Sequence, residues 1–73
     1  MPTIGERTAK AIRDRVKKNN SLLKDELRKI DVSRRALLSW ELYGMNPSAY
    51  FLQQMALEGY DIMWILTGEE SNG

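Results

Sequence analysis

The 73-residue chain contains no cysteine and no histidine. Without thiols there is no disulfide framework, and added stability has to come from packing or association. The same absence removes the commonest general base, the thiolate nucleophile and the usual zinc ligands, so catalysis and a metal or other cofactor are not expected. With two prolines and five glycines the chain does not read as a low-complexity segment. No apolar run approaches the roughly 20 residues needed to cross a bilayer, and the opening MPTIGERTAK lacks the apolar centre of a signal peptide. A cytoplasmic protein with no membrane partner is the expectation. Glu69 and Glu70 are adjacent carboxylates in a polar C-terminal stretch, which reads as a solvated tail rather than an acid–base pair.

Basic residues are missing from the second half. All eleven Lys and Arg lie at or before Arg35, where they face five acids for a net +6, whereas residues 36–73 hold five acids and no base. The overall +1 therefore conceals a dipole, with one half suited to a polyanion such as DNA and the other, acidic and apolar, to a protein partner.

What remains is 42% hydrophobic and 29% charged, spaced at three and four rather than two, which predicts an all-α domain of five helices over residues 1–70 with a polar tail at 71–73. The first helix spans about Ile4 to Lys18. Ile4, Thr8, Ile12 and Val16 line one side with Ala9, and Glu6–Lys10 and Asp14–Lys18 pair on the other. Asn19 and Asn20 end it, and Ser21 caps a second helix, Leu22 to Ile30, with Leu23, Leu27 and Ile30 as its apolar stripe. After a break at Asp31 and Val32, Ser33 caps a third helix from Arg34 to about Leu42, with Ala36, Leu37 and the core candidate Trp40 on one face. Gly44 suits the left-handed exit from that helix. Asn46 and Pro47 read as cap and first position of a fourth helix reaching Glu58, and Asp61 caps a fifth, Ile62 to Leu66.

A capped helix with two Arg in its first turn, preceded by a short helix and a tight turn, has the parts that major-groove recognition requires. Arg can hold the O6 and N7 acceptors of guanine with two parallel hydrogen bonds. Arg34 and Arg35 are the candidate base readers, Ser39 one turn on can reach a base or phosphate, and Leu38 is either a thymine-methyl contact or an apolar packing residue.

The run DVSRRALLSWE, followed by NPSAYFLQQMALEGYDIMWILTGEE and preceded by IGERTAKAIRDR, resembles the lambda-repressor-like, or Xre-type, helix-turn-helix family of phage and bacterial regulators across residues 4–70. The resemblance implies a compact five-helix domain that binds double-stranded operator DNA, usually as a homodimer, to regulate transcription. It implies base contacts from Arg34, Arg35 and Ser39. Phosphate contacts would come from Ser21, Leu23, Lys24 and Ser33 around the second helix and the turn, and from Tyr43, Asn46 and Ser48 before the fourth helix. It places the last helix away from the recognition helix, which makes Tyr60, Met63 and Trp64 the dimer candidates, with Trp64 the one most suited to the core. The chain departs from the family where Leu23 replaces a common Gln, Glu26 a common Leu, Leu27 a small residue and Asp31 the turn Gly. A second class of function fits the same fold: an antirepressor or repressor modulator that binds another regulator, favoured by the lack of any base after Arg35.

Overall fold

Thr3 sets the start of the first helix. Its hydroxyl accepts the Glu6 N–H at 3.0 Å while the Glu6 carboxylate accepts the Thr3 N–H at 2.7 Å, a reciprocal cap on two otherwise unsatisfied donors. The helix, α1, spans Ile4–Asn19 in the computed structural model, which describes residues 1–69. Thr8, Ala9 and Ile12 are buried on one side, with Ile4 and Val16 half-buried on the same stripe. The expected Glu6–Lys10 and Asp14–Lys18 pairs do not form. Glu6 belongs to the cap, and Lys10 reaches Asp14 at 2.9 Å instead. An unsatisfied N–H at a helix start claims a carboxylate more firmly than an exposed ammonium, whose pairing contributes only about 0.2–0.5 kcal/mol.

Asn20, left-handed at φ 51°, closes α1, and the Ser21 N–H donates to Val16 O at 3.0 Å within that closure. Ser21 therefore does not cap the next helix. α2 spans Leu23–Lys29 with Leu22 at its N-cap and no side-chain cap. Four residues separate it from α3, Arg34–Tyr43, and Asp31 among them adopts the left-handed conformation, φ 56°, in place of a glycine. Val32 N–H returns to Leu27 O at 2.9 Å, and Ser33 Oγ accepts the Ala36 N–H at 3.0 Å, the cap expected for α3. Gly44, φ 66°, ends α3.

The fourth helix starts later than its Asn-Pro signal. α4 spans Ala49–Leu57 with Ser48 at the N-cap, and Pro47 lies in the preceding loop. Asn46 accepts the Gly5 N–H through Oδ1 at 3.2 Å, so it ties this loop to α1 rather than capping α4. Asp61 accepts the Trp64 N–H at 3.1 Å and opens α5, Ile62–Thr67. The described residues thus form five helices and no strand, the all-α architecture expected. None of these helices is long and apolar enough to cross a membrane.

α1 is the hub, packing against α2, α3 and α5, while α4 packs against α5. Ile12, Ile30, Leu37, Met55 and Ile65 are fully buried at the centre, and Trp40 joins them as expected. The Trp40 ring meets Phe51 edge-on at 5.4 Å, linking α3 to α4. Three arginines fasten the hub to its neighbours. Arg7 donates to the Ile65 and Leu66 carbonyls near the end of α5 at 2.8 and 3.1 Å and to Pro2 O at 2.8 Å. Arg13 holds both carboxylate oxygens of Glu41 on α3 through Nε and Nη2, and this pairing raises the Arg13 pKa above its usual value. Arg15 donates to Glu58 O and lies over the Tyr60 ring at 3.7 Å.

At Gly5 the helix backbone meets the loop before α4 at closest range: a Cβ there would lie 1.8 Å from the Met45 carbonyl oxygen. Relief requires moving backbone, so Gly5→Ala is expected to destabilise the fold by about 1–3 kcal/mol through overpacking. Denaturant unfolding checks this, and a midpoint equal to that of the unsubstituted protein would show that the loop yields freely.

Candidate nucleic-acid interface

The eleven basic side chains separate into two groups by what they touch. Arg7, Lys10, Arg13 and Arg15, all on α1, are committed to carbonyls, carboxylates or a ring within the molecule. Lys17 and Lys18 at the end of α1, Lys24, Arg28 and Lys29 on α2, and Arg34 and Arg35 on α3 have no ion-pair or hydrogen-bond partner among the described residues. All seven are exposed. The unpaired charge is thus confined to residues 17–35, the stretch containing the α2–turn–α3 unit.

Around α3 each residue turns by about 100° from the last, so the buried pair Leu37 and Trp40 fixes the outward direction. Arg35 and Leu42 stand closest to that direction, with Leu38 and Ser39 beside them, both half-buried. Arg34 stands at the flank. It lines a shallow depression of about 320 Å³ together with Lys24, Leu27, Arg28 and Val32. The Ser33 hydroxyl, accepting the Ala36 N–H, sits exposed at the head of the helix. Asp31 in the turn accepts the Tyr50 hydroxyl at 2.8 Å, and that hydrogen bond raises the Tyr50 pKa. An acid in the basic stretch is thereby held by α4.

The remaining candidate anion contacts divide. Lys24, Tyr43, Asn46 and Ser48 are exposed, and Ser48 makes no side-chain bond to its own helix. The Asn46 carbonyl oxygen is taken by Gly5, leaving its amide nitrogen as the group that can reach outward. Ser21 is withdrawn, because its Oγ is buried and has no partner among the described residues. Leu23 is half-buried against the core. Sequence reasoning missed Arg28, Lys29, Lys17 and Lys18. The available signal was that residues 17–35 hold more bases than acids, but which bases stay free depends on where the acids fold.

The dimer candidates are also divided. Tyr60 is 8% exposed, and its hydroxyl donates to the buried Glu26 carboxylate at 2.8 Å, so it belongs to the interior rather than to an interface. An aromatic after a helix-ending glycine looks free in sequence, yet the α4–α5 turn folds it between Glu26 and Arg15. Trp64 is half-buried against the core, and Met63, 51% exposed, faces outward with Leu57 and Leu66.

Compared with protein-family models, with curated proteins and with solved structures, the chain finds no match in any of the three.

Burial, and then the Glu26 hydrogen bond and charge, raise the Tyr60 pKa well above its ordinary value of 10.0, against a smaller opposing effect of Arg15. The unfolded chain releases this proton near pH 10 while the folded chain keeps it, so the Tyr60 contribution to stability is intact below that pH and falls above it. Tyr60→Phe leaves Glu26 without its donor and should cost about 1–3 kcal/mol at pH 7. The stability gap between the two proteins should narrow as the pH rises from 9 to 11.5. Urea unfolding across that range checks the sign, and a constant gap would show that the hydroxyl is not coupled to folding.

Proposed function

We propose that the chain is a sequence-specific DNA-binding regulator of transcription, of the lambda-repressor-like helix-turn-helix type, with α3 as the recognition helix in the major groove. The observation that carries this reading is the confinement of unpaired, exposed cations to residues 17–35, on and around α2 and α3. A folded domain gains little by clustering seven unpaired bases around a single unengaged acid, Asp25. A duplex, with one phosphate charge per roughly 1.7 Å of its axis, supplies the missing counter-charge. Arg35, central on the exposed face of α3, is the guanine reader, with Ser39 beside it. Ser33, Tyr43, Ser48 and the Asn46 amide flank the helix as phosphate contacts, and the uncapped N–H groups at the start of α4 favour an anion there. Dimerisation through the Met63 side of α5 would bring two recognition helices to half-sites one helical turn apart.

A second reading has its own support. Leu42, Tyr43 and Met45 are 65%, 77% and 60% exposed at the end of α3, where no base follows, and such a patch suits another regulator protein.

Salt-titrated binding to duplex DNA separates the two. The affinity should fall linearly with log salt, at about −0.9 per phosphate neutralised. Arg35→Ala should cost about 1–3 kcal/mol on the best-bound sequence and relax the preference at one base pair. Absence of DNA binding at low salt, with capture of a regulator that Tyr43→Ala abolishes, would transfer the assignment to the protein-interaction reading.

A further inference from the structure

Two of the unpaired cations, Lys24 and Arg28, stand one turn apart on the same face of α2, and Arg34 joins them from the flank of α3 around a single depression. Its floor is apolar, made by the buried Leu27 and Val32. Like charges at i and i+4 on a helix repel rather than stabilise, and no acidic side chain lines this depression. A feature that the free protein maintains at a cost is explained by an anion brought from outside. The three heads include two guanidinium groups, each able to hold two oxygens of a tetrahedral anion in parallel, and one ammonium that acts as a point charge.

From this convergence we propose that Lys24, Arg28 and Arg34 form a seat for one backbone phosphate of duplex DNA, and that Arg34 is a phosphate ligand rather than a base reader. The inference rests on the DNA-binding reading and refines it. Adjacent residues on a helix diverge by about 100°, so Arg34 and Arg35 serve different parts of the duplex. Arg34 turns toward α2 and the sugar–phosphate strand along the groove edge, whereas Arg35 points into the groove. Holding one phosphate between the two helices fixes the depth and angle of α3, and base reading falls to the Arg35 face.

The test uses the full chain and two duplexes, one selected for tightest binding and one scrambled. Arg28→Ala and Arg34→Ala should each weaken both duplexes by the same factor, roughly five- to tenfold at 0.1 M salt, and make the salt slope shallower by at most about 0.9, the whole contribution of one phosphate. Both side chains are exposed and the removal of a like charge relieves repulsion, so the thermal midpoints should not fall, which circular dichroism verifies. A neutral methylphosphonate walked along the selected duplex should identify one position at which the wild-type protein loses affinity and the two variants lose little more. Three results overturn the proposal: wild-type affinity and slope in Arg28→Ala, a change of base preference with an unaltered slope in Arg34→Ala, or no single methylphosphonate position shared by the two. If the wild-type protein shows no salt-dependent binding to either duplex, the DNA-binding reading itself fails and the seat with it.

Discussion

Everything else in the molecule depends on how α1 is held. A domain of this size buries only about 60% of the surface its unfolded chain exposes, so apolar packing leaves little margin and each polar tie counts. Arg7, Arg13 and Arg15 project from that one helix to the end of α5, to Glu41 of α3 and to the turn between α4 and α5. The tie from Arg7 also satisfies carbonyls that the end of a short helix would otherwise leave open. Gly5 brings the same helix against the Met45 carbonyl, and Asn46 fixes that contact with a hydrogen bond. The C-terminal end of α3 is thus set from α1, by Glu41 and by the loop that follows it.

That arrangement decides which charges are free. The arginines in the first three-quarters of α1 are committed within the molecule, and the bases beyond them have no counterpart among the described residues. Three nearby acids are engaged elsewhere, Glu26 with Tyr60 in the interior, Asp31 with Tyr50 and Asp14 with Lys10, and Asp25 alone stands exposed among the bases of α2. The uneven charge of the sequence becomes, through these pairings, an uneven charge of the surface. A helix with an unneutralised basic margin and a rigid mounting is what a major-groove reader requires, since the phosphates then set the register in which a few side chains meet base edges.

Much of the fold was legible because local backbone chemistry decides it. Ser33 and Asp61 cap as their positions after a break suggest, Gly44 takes the left-handed exit, Asp31 adopts the left-handed conformation in the turn, and Trp40 lies on the buried face. The failures are places where a distant partner, or the closure of the preceding helix, overrides the local signal. Asn46 before Pro47 is a strong cap signal, yet Gly5, 41 residues away, takes its carbonyl. Ser21 turns inward because its backbone closes α1, and Tyr60 is drawn into the interior by Glu26, a carboxylate that the sequence alone gives no reason to bury. For the candidate site, the outward position of Arg35 on α3 was readable from helical spacing. The convergence of Arg28 with Lys24 and Arg34 was not, since it requires knowing how α2 and α3 face each other.

The central claim is that the polyanion-binding face is the unpaired basic stretch 17–35 and that the α1 arginines take no part in it. Backbone amide chemical shifts followed while a duplex is added at low salt test this residue by residue. The account predicts shifts concentrated from Lys17 through Arg35 and onward along α3 to the start of α4, with the amides around Arg7 and throughout α5 unmoved at the stoichiometry of a monomer. Shifts centred on α5 or on the first two turns of α1, with the α2–α3 stretch silent, would contradict it.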